Sequence, residues 1–197
     1  MSRAPVDQVL DLYRRGWFPM DDEREPELPF YAVAERAVFE LDEASRAAVR
    51  RRVRRSLAVG RREGWRLVWD RRFEEVLAGC AAPRHDTDGQ WITPRLQAVY
   101  RMLHRAGHGH SVEVHTPGGE LAAGLLCVRV RRAAFLESMH HRVPHGGNCL
   151  VAWTLDDLAA RGVTLCDIQL PTEHTTRLGA TLLPREAFEA RLREATT

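Results

Sequence analysis

No lysine occurs in this chain. All 29 basic side chains are arginine, and against 27 acidic residues they leave a net charge of only +2. So close a balance does not by itself announce a nucleic-acid binder. Cysteine is scarce, and Cys80, Cys127, Cys149 and Cys166 form no CxxC pair. That pattern excludes a disulfide framework and zinc-finger spacing, and it fits a reduced, cytoplasmic protein. No apolar run approaches the roughly 20 residues a membrane span needs, and the opening MSRAPVDQVL has no signal-peptide core. The expectation is a cytoplasmic protein with no membrane partner. Also missing are GxxxxGK[ST], GxGxxG and GxSxG, which argues against nucleotide hydrolysis, dinucleotide binding and a serine nucleophile elbow.

What is present suits a soluble globular chain: 44% hydrophobic and 28% charged residues, enough to bury one full core. Helical spacing covers Asp7–Arg15, stopped by Gly16, and an acidic loop follows at Asp21–Leu28, with Pro26 inside it and Pro29 directly after. Strand-like residues run over Phe30–Leu41. Glu43–Arg62 is read as a single helix whose core stripe is Val49, Val53 and Leu57. Trp65–Asp70 reads as a strand and Arg72–Ala78 as a short helix. Thr93 caps and Pro94 opens the next helix. A hairpin of Ser111–His115 and Glu120–Val130 turns at Pro117-Gly118-Gly119, and Ala133–Met139 is a third strand. A helix ending near Ala160, the strand Thr164–Gln169 and a last helix at Arg185–Glu194 complete an α/β layout. Strands on either side of a helix tend to lie parallel and adjacent, and a splay between them leaves a crevice for a ligand.

Three features invite chemistry. The first is Thr164–Gly179, where strand alternation sets Leu165, Asp167 and Gln169 on one face. An acid and an amide at the end of an apolar strand are costly to bury unless partnered. The crevice brings Glu137 towards them, although a polar strand end can also merely cap a loop. The second is an arginine run, Arg50, Arg51, Arg52, Arg54 and Arg55, which suits phosphate contacts beyond what solubility requires. A solvated helix face is the plainer alternative. The third is a set of nine histidines, among them the His140, His141 and His145 cluster. Gly107 breaks the helix between His104 and His108, so a metal site is disfavoured.

Several motifs then occur in one order: YRRGWFPM at Tyr13–Met20, WIT at Trp91–Thr93, HRAGHGHSVEV at His104–Val114, ESM at Glu137–Met139, and DIQ followed by HTTRLGA within Asp167–Ala180. Together they resemble the bacterial leucyl/phenylalanyl-tRNA–protein transferases, from roughly Leu10 to Arg193. The resemblance implies an acetyltransferase-like (GNAT) mixed sheet with flanking helices over residues 65–197, behind a small N-terminal α/β lobe over 1–64 that carries the basic helix. It implies transfer of an amino acid from the acceptor end of a charged tRNA to an amine, typically a protein N-terminus.

By the same resemblance Asp167 and Gln169 form the catalytic pair, Gln169 bonding the attacking amine and Asp167 orienting it. Glu137 would hold a basic side chain or amine of the acceptor, and Trp91 would stack on the terminal adenosine. Ser138 and His174 fall with the substrate-binding residues, and the arginine-rich helix with the tRNA surface. No cofactor is implied, because an aminoacyl ester is already activated. The chain also departs from the family. The W-x-S-P-x-x-R stretch reads FYAVAER at Phe30–Arg36, His140-His141 replace Phe-Ser, and Leu125 and Ala134 stand where the aminoacyl pocket has larger walls. Those changes bear on which aminoacyl group and which acceptor, protein or small amine, would fit. Two rivals are an acyl-CoA N-acyltransferase of the same fold, which lacks its Q/R-x-x-G-x-G/A loop here, and a non-catalytic RNA-binding relative.

Overall fold

A computed structural model describes residues 4–21, 24–83 and 92–197. In chain order it has helix α1 (Ala4–Arg14), strands β1 (Phe18–Pro19), β2 (Phe30–Tyr31) and β3 (Glu35–Phe39), then helices α2 (Glu43–Arg52) and α3 (Arg54–Arg62). Next come β4 (Arg66–Trp69), α4 (Phe73–Ala81), α5 (Pro94–Arg105), β5 (Gly109–His115), β6 (Leu121–Val130) and β7 (Ala133–His141). The chain closes with α6 (Gly146–Ala160), β8 (Leu165–Asp167), α7 (Glu173–Leu178), β9 (Thr181–Pro184) and α8 (Arg185–Thr196). The helix expected over Glu43–Arg62 is thus interrupted at Val53, whose φ of −105° and ψ of 18° leave the helical well. The caps at Thr93 and Gly16 form as expected: Thr93 accepts from the Leu96 N–H, and Gly16 follows α1 at φ 80°.

Seven strands form one mixed sheet in the order β4-β5-β6-β7-β8-β3-β9. All neighbours are antiparallel except β7 and β8, the pair expected to be parallel. Because strand side chains alternate, each face buries its own cluster. Leu126, Val128, Phe135 and Leu165 pack under α1, α4, α5 and α8. Leu125, Cys127, Ala134 and Cys166 pack under α2, α3, α6 and Leu178 of α7. With helices on both faces, β6 is almost wholly buried, which accounts for its continuous apolar run.

One expectation is corrected by this topology. β3, drawn from the stretch expected to be a separate lobe, lies inside the sheet between β8 and β9. A division at 64/65 therefore cuts a sheet and a core that both sides share. At the start of the acidic loop the Asp21 side chain is buried and pairs with Thr93 and Arg95, whereas residues 24–27 are exposed. Among the described residues no helix is long and apolar enough to cross a membrane.

Candidate active site

β7 and β8 pair only from Ala133 opposite Leu165 to Phe135 opposite Asp167. Beyond that point two irregularities drive them apart. On β7, Leu126 and Cys127 of β6 face Ser138 and Leu136, so Glu137 is an extra residue, a bulge that breaks the ladder and re-aims its side chain. After β8, Ala37 of β3 accepts from the Ile168 N–H at 2.9 Å yet donates to the Gln169 carbonyl at 3.0 Å, so two residues again oppose one. Gln169 turns the chain at φ 57°, in the left-handed region. Pro171 then cannot donate to a neighbour.

The gap is a cavity of about 600 Å³. Leu125, Leu136, Met139, Val151 and Ile168 make most of its wall apolar, while Glu137, Ser138, Gln169 and His174 supply polar atoms. Its rim carries Met20 and Leu170, both exposed. Two buried polar atoms beside it, Glu137 Oε1 and Ser138 Oγ, have no hydrogen-bond partner among the described residues. Such atoms cost stability unless something else engages them.

Asp167 does not line the cavity. It is fully buried on the opposite side of the backbone, gripped by Arg36. Arg36 Nε donates to both carboxylate oxygens at 2.9 and 3.1 Å, and Nη2 donates to Oδ2 at 2.7 Å. Arg36 Nη1 caps the Gly16 carbonyl at 2.8 Å, and the guanidinium lies between the rings of Phe18 and Phe188. The expectation that Asp167 touches the amine is therefore corrected. Its remaining bond accepts the Gln169 backbone N–H at 2.9 Å, which holds Gln169 in its left-handed turn. The Gln169 amide satisfies its surroundings when Nε2 donates to the carbonyls of Leu136 and Ile168, each at 3.0 Å. Oε1 is then the acceptor the residue can offer to the cavity it lines.

The family model described as leucyl/phenylalanyl-tRNA protein transferase matches residues 41–193. A leucyl/phenylalanyl-tRNA–protein transferase of Hydrogenovibrio crunogenus is 35% identical over 190 residues, covering 95% of this chain and 71% of that protein. The protein of the same name from Neisseria meningitidis serogroup C is 40% identical over 192 residues, covering 94% and 76%. The chain belongs to the leucyl/phenylalanyl-tRNA–protein transferase family. Among solved structures, L-PGS from Bacillus licheniformis aligns at 12% identity with a TM-score of 0.46, over 84% of this chain and 51% of that one.

Of the family positions identified in the sequence, Gln169, Glu137, Ser138, Leu125 and His174 meet at the cavity. Ala134 does not: it is fully buried opposite Cys166, within the core cluster of that face. Its side chain precedes the splay by a turn of the pleat, so the layer it fills is interior. Trp91 lies outside the described residues. Arg50 is largely consumed by Glu43 and Asp156, whereas Arg51, Arg52, Arg54 and Arg55 are exposed and hold no ion pair among the described residues. Arg52 reaches the C-terminal end of α7, since a Cβ on Gly179 there would sit 3.0 Å from its Nη1.

The residues not singled out in the sequence are Arg36, Tyr13 and Tyr100. Arg36 stands in an apolar strand, and a lone arginine there signals a buried partner, but only the fold names Asp167. Tyr100 donates to Glu137 Oε2 at 3.1 Å. Burial pushes the Glu137 carboxyl up to about 8, with Asp167 adding to the rise and the nearby tyrosine hydroxyls and Arg36 opposing it.

Two outcomes follow. Arg36→Met strands the Asp167 charge and should cost about 3–5 kcal/mol in urea unfolding, with Asp167→Asn in that background recovering part of the loss. For Glu137, the native carboxyl keeps a proton that the unfolded chain, titrating near 4.3, has released. Stability should therefore fall as pH rises from about 5 towards 8, by up to ~1.4 kcal/mol per pH unit, and Glu137→Gln should flatten that slope.

Proposed function

We propose that this protein is an aminoacyl-tRNA-dependent aminoacyltransferase that moves an amino acid from the 3′ end of a charged tRNA to a protein N-terminal amine. The observation that carries the reading is the cavity at the parting of β7 and β8, with Gln169 on one wall, Glu137 on the other and Arg52 of α2 beside the end of α7. A volume of about 600 Å³ suits a small-molecule-sized group such as an aminoacyl nucleoside end. The parallel pair inside an otherwise antiparallel sheet, opening where a substrate would lie, also supports an acetyltransferase-like (GNAT) assignment.

In this reading the apolar wall of Leu125, Leu136, Met139, Val151 and Ile168 receives the aminoacyl side chain, leucine or phenylalanine by family membership. Gln169 Oε1 accepts an N–H of the attacking amine and lines it up on the ester carbonyl. Asp167 is a positioning residue that works through the Gln169 backbone. Glu137, a neutral acid at neutral pH, offers a donor, and the unpartnered Ser138 Oγ a second polar contact. Trp91 would stack on the terminal adenosine. The ester carries its own activation, so what the protein supplies is near-attack geometry, worth up to ~7–11 kcal/mol.

The test is a transfer assay with a pool of charged tRNAs and peptides of varied N-termini, read by mass spectrometry. Transfer of leucine or phenylalanine is expected, and Gln169→Ala should lower kcat by about 10²-fold in a protein that still folds, with a lower melting temperature because the carbonyls of Leu136 and Ile168 lose their donor. No transfer from any charged tRNA would overturn the reading. Replacing Arg51, Arg52, Arg54 or Arg55 with glutamine should weaken tRNA binding, and each lost phosphate contact should reduce the salt-dependence slope by about 1.

A further inference from the structure

Transfer of an acyl group to an amine needs a proton acceptor, and the groups assigned so far do not supply one. An amide such as Gln169 is too weak a base, Asp167 is locked to Arg36, and Glu137 is protonated at neutral pH. His174 remains: among the described residues it is the one histidine that lines the cavity.

Its ring is held at the end of a chain of hydrogen bonds that crosses three helices. Asn148, in the first turn of α6, donates through Nδ2 to Ser56 Oγ of α3 at 3.1 Å. The amide oxygen therefore faces His174 and accepts from its Nε2 at 3.0 Å. Ser56 Oγ also bonds His145 Nδ1 at 3.1 Å, in the direction set by the His145 tautomer. The two bonds of Asn148 have fixed directions, because an amide nitrogen only donates and an amide oxygen only accepts. The result fixes His174 as the Nε2–H tautomer with the lone pair on Nδ1, which has no partner among the described residues. His145 is itself anchored, at φ 71° ahead of α6.

We propose that His174 is the catalytic base of the transfer step, with Asn148 and Ser56 as the positioning residues that hold its tautomer. The proposal rests on the aminoacyl-transfer reading above. As the amine nitrogen bonds to the ester carbonyl carbon, one N–H proton passes to His174 Nδ1. As the carbonyl–O3′ bond breaks, the same proton goes to the departing ribose oxygen. The products are an amide and a free ribose hydroxyl, and the imidazole returns neutral.

The surroundings keep the ring uncharged between turnovers. Half-burial lowers its pKa first, with Arg177 on its own helix and His141 of β7 adding to the effect. The other charged groups nearby are Glu173, paired with Arg177 at 3.2 Å, Arg52 over Gly179, and the neutral acid Glu137 across the cavity.

Single-turnover transfer from a pre-charged tRNA to an N-terminal arginine peptide tests the assignment. H174A should lower the rate constant about 10²-fold or more, with binding of charged tRNA within about threefold and partial rescue by added imidazole. H174Q keeps an acceptor but cannot take a proton, so it should be as slow as H174A. In wild type, the log rate should steepen from slope one to slope two as pH falls below the His174 pKa, because amine and imidazole must both be unprotonated, whereas H174A should keep slope one. Should H174A fail to fold, N148A replaces it, with about a tenfold loss of rate and unchanged binding expected. A rate in H174A or H174Q within about threefold of wild type would overturn the proposal, as would slope two persisting in H174A. Absence of transfer by the wild type itself would remove the proposed function and this role together, whereas active wild type with unaffected His174 variants removes only this role.

Discussion

The buried pairing of Arg36 with Asp167 is the constraint on which the rest of the site depends. Two charges at the centre of a sheet carry a desolvation cost that only close, multiple hydrogen bonds offset. Here the carboxylate receives three arginine contacts and the Gln169 N–H. The guanidinium uses its remaining reach on the Gly16 carbonyl and is covered by two aromatic rings. One side chain thus ties β3, β8, α8 and the turn after α1 together. It also presents Gln169 to the cavity in a backbone conformation that a non-glycine residue holds only when its surroundings insist.

Around that anchor, the site is made by what the sheet fails to do. Paired strands fill the space between them with backbone hydrogen bonds, so a cavity needs the ladder to stop. An extra residue at Glu137 and the left-handed turn at Gln169 stop it from both sides. The same interruption brings an acid into a place so poor in water that it stays protonated at neutral pH. Outside the gap, Arg52 of α2 lies beside the end of α7, and the polar chain through Ser56 of α3 and Asn148 runs to His174. A polyanion held by the helices and a group held in the cavity would meet across one short helix.

Much of this was legible in the residues because local rules were strong there. Thr93-Pro94 and Gly16 are capping signals whose meaning does not depend on the fold. The parallel relation of β7 and β8 followed from a helix between two strands. The motifs around Glu137 and Gln169 name residues that line one cavity. Two site readings failed, each because a local pattern was carried past the point where it holds. Period-two alternation put Asp167 and Gln169 on one face, but alternation ends when a residue leaves the extended region, and Gln169 does. Ala134 was read by motif position alone, which cannot tell a wall from the layer beneath it.

The sequence by itself determined most of the element order, though not α7 or β9, together with the family and five residues of the cavity wall, since each of these is written in local periodicity or contiguous motifs. Only the tertiary structure decided that residues near 36 belong in the middle of the sheet, that Asp167 serves Arg36 and not a substrate, and that Ser56, Asn148 and His174 form one chain. Those facts join residues separated by as many as 131 positions. Pairing at such range depends on how strands and helices pack, which no local pattern records.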